Sequence, residues 1–249
     1  MGKRQRLDLL LVERQLVASR EEGRRRILAG DVRVNQQPVT KAGSLIDGAA
    51  TISVKAAAPY VSRGGVKLAK ALHEFAIEVA GKNAIDIGAS TGGFTDCLLA
   101  HGAAQVIAVD VGYGQLDWKL RNDARVAVLE KTNIRYLAPA SLPFVPELAT
   151  IDASFISLKL ILPKVRSLLA ANGTVIALIK PQFEVGKGKV GKGGVVRSAH
   201  EHSRVIDEIS RAALDCGFRV LAVTESPLLG PKGNKEFLLH LEVDSSATV

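Results

Sequence analysis

The hydrophobic and polar positions near the middle of the chain predict a strand, a glycine-rich corner and a helix. Residues 84–87 form an apolar run that contains Asp86, residues 88–93 are rich in glycine and hydroxyl groups, and residues 94–99 have the pattern of a helix. A second apolar run at 106–109 ends in Asp110. A strand that meets a helix at such a corner, with an acid at the end of the next strand, is typical of an adenosine-binding βαβ unit.

The same alternation continues to the end of the chain. Apolar runs predict further strands, and residues 199–216 have the pattern of an amphipathic helix. Buried strands that alternate with helices predict an α/β fold of the Rossmann-like kind, with a doubly wound and mostly parallel sheet. The further strands are predicted at 126–129, 149–154, 174–179, 220–224 and 237–243.

The first 55 residues show a different pattern. Leucines spaced three and four apart form one helical stripe, and residues 19–22 read S-R-E-E, a capping box that opens a second helix ending at Gly30. Val32 and Val34 then alternate with Arg33, and the chain returns over 45–54 through a turn at Asp47-Gly48. We therefore predict a small α+β domain at 1–55, a linker at 56–59 and the α/β domain at 60–249.

The positive charge of the chain is concentrated in its N-terminal part. The 249 residues carry a formal net charge of +8. Residues 1–70 hold 14 Lys and Arg against 6 Asp and Glu, whereas residues 71–249 hold 19 of each. This distribution predicts an RNA or DNA contact near the N-terminus, although a solvated charged face would look similar. The cations that we expect to contact phosphates are Arg4, Arg6, Arg20, Arg24, Arg25 and Lys41.

Cysteine content and hydropathy argue against several classes of protein. Cys97 and Cys216 are far apart and have no C-x-x-C partner, so neither a disulfide framework nor a zinc site is indicated, and we expect no bound metal. No apolar run approaches the roughly 18 residues that a membrane-spanning helix needs. The leading run at 9–12 is bracketed by Asp8 and Glu13. We therefore expect a cytoplasmic monomer without a membrane partner.

The glycine-rich corner favours a nucleoside cofactor without phosphates, such as S-adenosylmethionine. Its spacing is not the dinucleotide pattern G-x-G-x-x-G, and Ser90 and Thr91 stand where a pyrophosphate would need close backbone amides. The Asp110 carboxylate can accept both ribose hydroxyls, and the polar loop at 130–133 can bind adenine. A structural corner with an incidental aspartate is the alternative. The predicted cofactor contacts are Asp86, Gly88, Ser90, Gly92, Gly93, Phe94, Asp110, Val111 and Asn133.

Four charged residues are expected to converge near this corner: Lys67, Asp152, Lys180 and Glu236. They open the α/β domain or lie at strand ends, and they meet at one edge of the sheet if the seventh strand runs antiparallel. Two lysines and two carboxylates suit chemistry on a hydroxyl, where a cation stabilises a developing alkoxide. A lysine that only extends to solvent is the alternative for Lys180.

A basic, glycine-rich stretch lies within residues 183–197. It nearly spells a phosphate-binding P-loop, but Gly193 replaces the Ser or Thr that would bind magnesium, so ATP hydrolysis is disfavoured. A mobile loop that closes over RNA and a disordered surface loop both remain open interpretations.

Two resemblances make these expectations specific. Residues 6–46 carry the pattern R-L-D, then S-R, then a helix ending in G-x-V-x-V-N, and closely resemble the RNA-binding module named after ribosomal protein S-four. The order K-D-K-E around the IDIGASTGGFTD corner resembles the FtsJ-like ribose 2′-O-methyltransferases. Together with VSRGGVKL, DASFISL, IKPQFE and GPKGNKEF, these segments make the chain similar to the TlyA family, whose members are also named haemolysins.

The resemblance implies a function and a role for each charged residue. It implies a Rossmann-like methyltransferase that transfers a methyl group from S-adenosylmethionine to a cytidine ribose in the RNA of ribosomal subunits. It also implies that Lys180 is the catalytic lysine and that Lys67, Asp152 and Glu236 complete the tetrad. Two alternatives are kept: a membrane-active haemolysin, for which no spanning segment is present, and a non-catalytic RNA-binding ribosome-assembly factor.

Overall fold

The computed structural model of the chain divides into two compact units, residues 1–57 and 58–249. It describes residues 4–55, 58–186, 190–191 and 193–246. Positions 56–57 of the predicted linker lie outside the described residues, and so do positions 187–189 and 192 of the basic, glycine-rich stretch.

The N-terminal unit combines two short helices with five short strands. The elements are β1 (Arg4–Arg6), α1 (Leu7–Glu13), α2 (Arg20–Leu28), β2 (Val32–Val34), β3 (Gln37–Pro38), β4 (Leu45–Asp47) and β5 (Ile52–Val54). Strand β1 pairs with β4 in one antiparallel ribbon, and β2 pairs antiparallel with both β3 and β5 in a second sheet.

Two details of this unit differ from expectation. The turn after Asp47 is present, since the Ala50 amide donates to the Asp47 carbonyl at 2.9 Å, but the strands on either side pair with different partners and form no single hairpin. In the capping box, Ser19 accepts from the Glu22 amide as predicted, whereas the Glu22 carboxylate accepts from the Ala18 amide, one residue before the cap. Strand β1 is too short to show an alternating pattern, so no local pattern predicted it.

A buried aspartate lies beneath the basic surface of this unit. Asp8 packs beside the apolar core, and its carboxylate accepts hydrogen bonds at 2.9–3.0 Å from the guanidinium groups of Arg6 and Arg20. The hydrogen bonds from Arg6 are the main reason why the pKa of Asp8 is lowered from 3.8 to about 2. Two arginines are thereby held in fixed positions by one carboxylate.

The C-terminal unit is built on a seven-stranded sheet. Its strands are β6 (Asn83–Ile87), β7 (Gln105–Val109), β8 (Val126–Leu129), β9 (Leu148–Ile151), β10 (Thr174–Ile179), β11 (Phe218–Glu225) and β12 (Phe237–Val243). Their order in the sheet is β11-β12-β10-β9-β6-β7-β8; strands β10, β9, β6, β7 and β8 are mutually parallel, whereas β12 runs antiparallel to both of its neighbours. Its helices are α3 (Arg63–Glu74), α4 (Gly93–Ala100), α5 (Trp118–Arg121), α6 (Leu162–Leu168), α7 (Pro181–Glu184) and α8 (Ala199–Asp215).

Helices cover both faces of this sheet, as the doubly wound prediction requires. Successive residues of β10 point to opposite sides: Val175 and Ala177 join the core with α6 and α8, and Ile176 and Leu178 join the core with α3 and α4. This two-sided burial explains why β10 reads as a continuous apolar run rather than an alternating one. The α/β fold class is confirmed.

We expect Asp8→Asn to destabilise the N-terminal unit. Because the folded-state pKa of Asp8 lies below its unfolded value, the carboxylate stabilises the fold above about pH 4, and that contribution is lost as the pH falls towards 2. At neutral pH the substitution should raise the hydrogen-exchange rates of α1 and α2 amides about tenfold, the effect of losing one charge-assisted hydrogen bond.

The matched control is Asp31→Asn, since Asp31 is more exposed than Asp8 and its ion pair with Arg26 is longer, at 3.4 Å. Its exchange rates should stay near those of the wild type. Equal effects of the two substitutions would show that Asp8 has no special role in the stability of this unit.

Candidate active site

The candidate site lies at the carboxyl edge of the sheet. Parallel strands β6, β7, β9 and β10 all end there, and the residues that follow them are Gly88, Asp110, Asp152 and Lys180. Ligands of open α/β sheets bind at this edge, where the chain leaves the strands. Three adjoining cavities open along it.

The first cavity encloses about 290 Å³ and holds three members of the predicted tetrad, Lys67, Asp152 and Lys180. Glu236 lies directly behind it, bonded to Lys67. The cavity is also lined by Gly93 and Phe94 at the start of α4, by the loop at 88–91 and by Ser62 and Gly64 at the start of α3. The four residues that the sequence predicts to converge are therefore brought together.

Lys67 and Glu236 form a buried ion pair. The Lys67 Nζ donates to Glu236 Oε2 at 2.5 Å, and both side chains are buried. Gly230 makes room for the carboxylate, because a Cβ at that position would overlap Glu236 Oε1. Burying two charges costs free energy, and apolar residues could fill the same space without that cost. A buried ion pair at a cavity wall therefore points to function rather than to stability.

Lys180 forms the second pair, with Asp152. Its Nζ lies 2.6 Å from Asp152 Oδ1 and donates to Ser154 Oγ at 2.8 Å. The residue is only 8% exposed, which argues against a lysine that merely extends to solvent. An ammonium group has three protons and Ser154 accepts one of them, so the amine can still donate to an acceptor that enters the cavity.

The second cavity encloses about 460 Å³ and contains the predicted nucleoside contacts. Asp110 Oδ2 accepts from the Ser90 amide at 2.8 Å, and Oδ1 accepts from the Gly112 amide at 2.7 Å. Each oxygen keeps a further lone pair, so the carboxylate can also accept two ribose hydroxyls. Val111 and Asn133 line the same cavity, where an adenine would be held.

The backbone conformation of the corner at 88–93 depends on its glycines. Gly88 has φ +83°, and a Cβ there would lie 2.8 Å from the Asp152 carbonyl oxygen, so only glycine lets β6 and β9 approach this closely where they end. Gly88, Ser90, Asp152 and Ser154 line both the first and the second cavity. The two cavities are therefore adjacent. Gly92 stands at the N-cap of α4.

Asp86 does not lie where the sequence analysis expected it. The side chain is fully buried and lines none of the three cavities. Its carboxylate accepts from the Thr95 amide at 2.9 Å, the Thr95 hydroxyl at 2.7 Å and the Thr150 hydroxyl at 3.0 Å. Burial raises its pKa to about 7. Asp86 thus anchors the first turn of α4 to the sheet and reaches the cofactor region only through that helix.

Glu184 is a residue that the sequence analysis missed. Its carboxylate accepts from the Ser157 hydroxyl at 2.5 Å and from the Leu158 amide at 2.9 Å, and burial raises its pKa. Glu184 ends the short helix that follows Lys180, while Ser157 lies in the loop that follows Asp152. This bond therefore connects the two segments that carry the Lys180–Asp152 pair. A glutamate near a glycine-rich stretch gives no pattern from which that contact could be predicted.

A third cavity of about 360 Å³ adjoins Lys180 and has a mostly apolar wall that includes Phe155 and Phe183. The two rings lie 5.0 Å apart. Phe155 is 90% exposed and has φ +63°, a conformation that is rare for a bulky residue. Strain of this kind clusters at functional sites, so this aromatic surface belongs with the candidate site. No local pattern in the sequence indicated it.

The predicted RNA contacts of the N-terminal unit fall into two groups. Arg6 and Arg20 are bonded to Asp8. The other four form no ion pair or side-chain hydrogen bond with a described residue and are exposed; they are Arg4, Arg24, Arg25 and Lys41.

Comparison with known proteins agrees with the geometry. The model of the FtsJ-like methyltransferase family matches residues 60–243, and that of the S4 domain matches residues 5–52. The 16S/23S rRNA (cytidine-2′-O)-methyltransferase TlyA of Mycobacterium tuberculosis is 45% identical over 247 residues, which cover 98% of this chain and 92% of that protein.

Two solved structures extend the comparison. A candidate hemolysin from Streptococcus thermophilus is 45% identical, with a TM-score of 0.75 and coverage of 98% of this chain and 90% of that chain. A candidate S-adenosylmethionine-dependent methyltransferase from Listeria monocytogenes has a TM-score of 0.54 at 17% identity, covering 73% of this chain and 98% of that chain, so the likeness concerns the fold alone. Within the described ranges, no helix is long and apolar enough to cross a membrane.

Replacing Asp110 should weaken cofactor binding. Loss of charged hydrogen bonds to the ribose in Asp110→Ala is expected to cost about 1.5 to 3 kcal/mol of binding free energy. Calorimetry with S-adenosylmethionine measures the change. Asp117→Ala is the control, because Asp117 caps α5 from the same loop but lines neither of these cavities. Unchanged affinity in Asp110→Ala would remove the assignment.

Replacing Glu184 should reduce turnover more than it reduces cofactor affinity. In Glu184→Ala both bonds to the Asp152 loop are lost, and displacement of a reacting group by about 1 Å can lower turnover up to about 100-fold. Glu184→Gln keeps an acceptor for the Leu158 amide and should retain most of the activity. Equal kcat values for Glu184→Ala and the wild type would contradict this positioning role.

Proposed function

The chain belongs to the FtsJ-like methyltransferase family, and on that premise we propose that it methylates the ribose 2′-hydroxyl of a cytidine in ribosomal RNA. S-adenosylmethionine is its methyl donor. The observation that carries the proposal is the adjacency of the Asp110 cavity to the cavity of Lys67, Asp152 and Lys180. We further propose that it acts as a cytoplasmic monomer on ribosomal subunits.

The residues of the second cavity fit this cofactor. Asp110 would hold the ribose hydroxyls, Val111 and Asn133 would border the adenine, and the loop at 88–93 would hold the methionine end beside the first cavity. When bound, S-adenosylmethionine supplies a methyl group on a sulfonium, whose departure leaves a neutral thioether. No anionic leaving group then needs a cation, so the lysines are available for the attacking oxygen.

The tetrad prepares the ribose hydroxyl. An N–H of the Lys180 ammonium can donate to the hydroxyl oxygen and stabilise the alkoxide that develops there as the hydroxyl proton passes to solvent. Alternatively, an unprotonated Lys180 amine can accept that proton and release it to solvent after the methyl group has been transferred. Asp152 and Ser154 fix the position of the amine. Lys67, which is held by Glu236, lines the same cavity. Two positive and two negative charges leave the site without net charge, which suits a neutral hydroxyl better than a phosphate.

The aromatic cavity beside Lys180 would receive the base of the target nucleotide. Phe155 and Phe183 present ring surface next to the amine, and an unstacked base can stack on such rings. Because the base and the 2′-hydroxyl belong to one nucleotide, a base held there would keep its ribose near Lys180. This arrangement supports RNA rather than a small molecule as the substrate.

The N-terminal residues would supply most of the RNA affinity. We propose that residues 1–55 form the RNA-binding domain, that 56–59 connect it, and that 60–249 form the methyltransferase domain. Exposed cations without ion pairs contact phosphates at low cost, and their binding is strongly dependent on salt. The basic surface that we assign to RNA comprises Arg4, Arg6, Arg20, Arg24, Arg25 and Lys41.

Lys180→Ala should abolish most turnover and leave binding intact. A positioned acid–base or electrostatic group contributes about 100-fold or more to kcat, so the loss should be at least of that size. The assay incubates small and large ribosomal subunits separately with labelled S-adenosylmethionine and identifies the modified nucleoside by mass spectrometry. Cofactor affinity is measured in parallel by calorimetry.

The control is Lys159→Ala, which removes an exposed lysine paired with Glu208 and should keep full activity. Methyl label on a base rather than on ribose would overturn the proposed reaction. Cofactor binding without any turnover by the wild type would instead support the non-catalytic assembly factor. Full activity of Lys180→Ala would overturn the role given to that lysine.

A further inference from the structure

The exposed aromatic side chains are concentrated at one edge of the methyltransferase unit. Among the described residues, those that remain largely exposed are Tyr113 (71%), Trp118 (75%), Tyr136 (73%) and Phe155 (90%). All four lie in the segments that follow β7, β8 and β9, at the carboxyl edge of the sheet. Aromatic rings are normally among the better-buried side chains, so this concentration indicates a binding surface.

Two of these rings carry a cation on one face. Lys131 Nζ lies 4.5 Å from the centroid of the Tyr113 ring. The Arg135 guanidinium carbon lies 5.2 Å from the centroid of the Tyr136 ring and its Nη2 donates to the Tyr136 hydroxyl at 2.7 Å. Neither Lys131 nor Arg135 forms an ion pair with any described residue. We call the two ring–cation pairs the aromatic–cation platform; its residues are Tyr113, Lys131, Arg135 and Tyr136.

The loop that carries Tyr113 is held in place by the next loop along the edge. The Lys131 amide donates to the Gly112 carbonyl at 2.9 Å, and the Gly114 amide donates to Glu130 at 2.8 Å. Lys131 itself has φ +53°, a conformation that non-glycine residues adopt rarely. These contacts fix Tyr113 on both sides while its ring stays in solvent. The exposure is therefore a property of an ordered surface rather than of a frayed loop.

We propose that the aromatic–cation platform binds unpaired nucleotides of the RNA next to the target. An exposed ring offers a stacking surface for a base, and an unpaired cation beside it can reach the adjoining phosphate. Residues 71–249 have no net charge, so the two cations act locally and not as part of a broad basic field. This inference rests on the proposed function, because it assumes that RNA approaches the active-site edge.

The position of the platform supports this choice of partner. Val111 and Asn133 line the cofactor cavity, and the platform residues Tyr113, Lys131 and Arg135 lie two positions from them along the chain. RNA that delivers a ribose to Lys180 must pass along this edge, where the parallel strands end. A strand of RNA held at the platform would therefore be in reach of the site without entering the cofactor cavity.

The test measures RNA binding by the full chain in fluorescence anisotropy. The probes are a short single-stranded RNA of mixed sequence and a fully paired RNA duplex. Tyr113→Ala combined with Tyr136→Ala should weaken binding of the single strand about tenfold or more, because each base–ring stack is lost, and should leave duplex binding unchanged. Lys131→Gln and Arg135→Gln should each reduce the salt dependence of binding by about one counterion.

Matched controls distinguish the contribution of the aromatic rings to RNA binding from the contribution of charge. Tyr113→Phe combined with Tyr136→Phe keeps both rings and should bind as the wild type does. Arg125→Gln removes an exposed arginine that pairs with Asp123 at the opposite end of β8, and it should have no effect on RNA affinity. Unchanged single-strand affinity in the double alanine variant, or an equal loss for the duplex, would overturn the proposal.

Binding of a ribosomal protein instead of RNA would give a different result. If the double alanine variant lost affinity for intact ribosomal subunits but not for protein-free ribosomal RNA or the single strand, the platform would bind a ribosomal protein and the proposal would be wrong. The test of the platform can also be told apart from the test of the proposed function. A wild-type chain that binds RNA through the platform but transfers no methyl group to ribose would contradict only the proposed reaction.

Discussion

The burial of the Lys67–Glu236 pair and of the Lys180 amine, which pairs with Asp152, is the constraint on which the arrangement of the site depends. Each charge taken from water must meet its partner at close range, so the chain segments that carry the pairs have to end at the same place. The antiparallel strand β12 makes this possible. Ile179 of β10 pairs with Phe237 of β12, so Lys180 leaves its strand where Glu236 enters the neighbouring one. A parallel strand at this position would begin at the far edge of the sheet.

Buried carboxylates elsewhere in the chain show that the charge of the hydrogen-bond partner determines whether the pKa of a buried carboxyl group is raised or lowered. Asp8 and Asp86 are both fully buried, yet the pKa of Asp8 falls to about 2 and that of Asp86 rises to about 7. Guanidinium groups stabilise the charged form of Asp8, whereas Asp86 receives hydrogen bonds from hydroxyl and amide donors that do not offset its burial. Glu184 resembles Asp86 in this respect. These carboxylates act as anchors for helices and loops, and the site residues are positioned through them.

Local pattern predicted the sheet well and predicted contacts between segments poorly. Strands β10 and β12 begin and end at the predicted residues. Burial on both faces makes β10 a nearly continuous apolar run, whereas β12 alternates apolar residues with His240 and Glu242 in its second half. Strand β1 and the pairing of β4 with it were missed, since three polar residues show no period. The burial of Asp86 and the hydrogen bonds of Glu184 to the loop after β9 depend on residues far away in the sequence, so no local pattern predicts them. The positive φ of Phe155 could not be predicted either, because a phenylalanine does not favour that conformation as a glycine or asparagine would.

The two units answer different physical demands of an RNA substrate. Unpaired cations in the N-terminal unit favour any polyanion, and that attraction weakens as salt screens it. Selection of a single ribose hydroxyl needs short-range contacts, which a unit with a net charge of only +3 over residues 58–249 can provide without holding phosphates at its active site. The neutral tetrad, the rings of Phe155 and Phe183 and the exposed rings along the same edge meet that demand. Placing most of the excess charge outside the catalytic unit therefore lets affinity and site selection be adjusted separately.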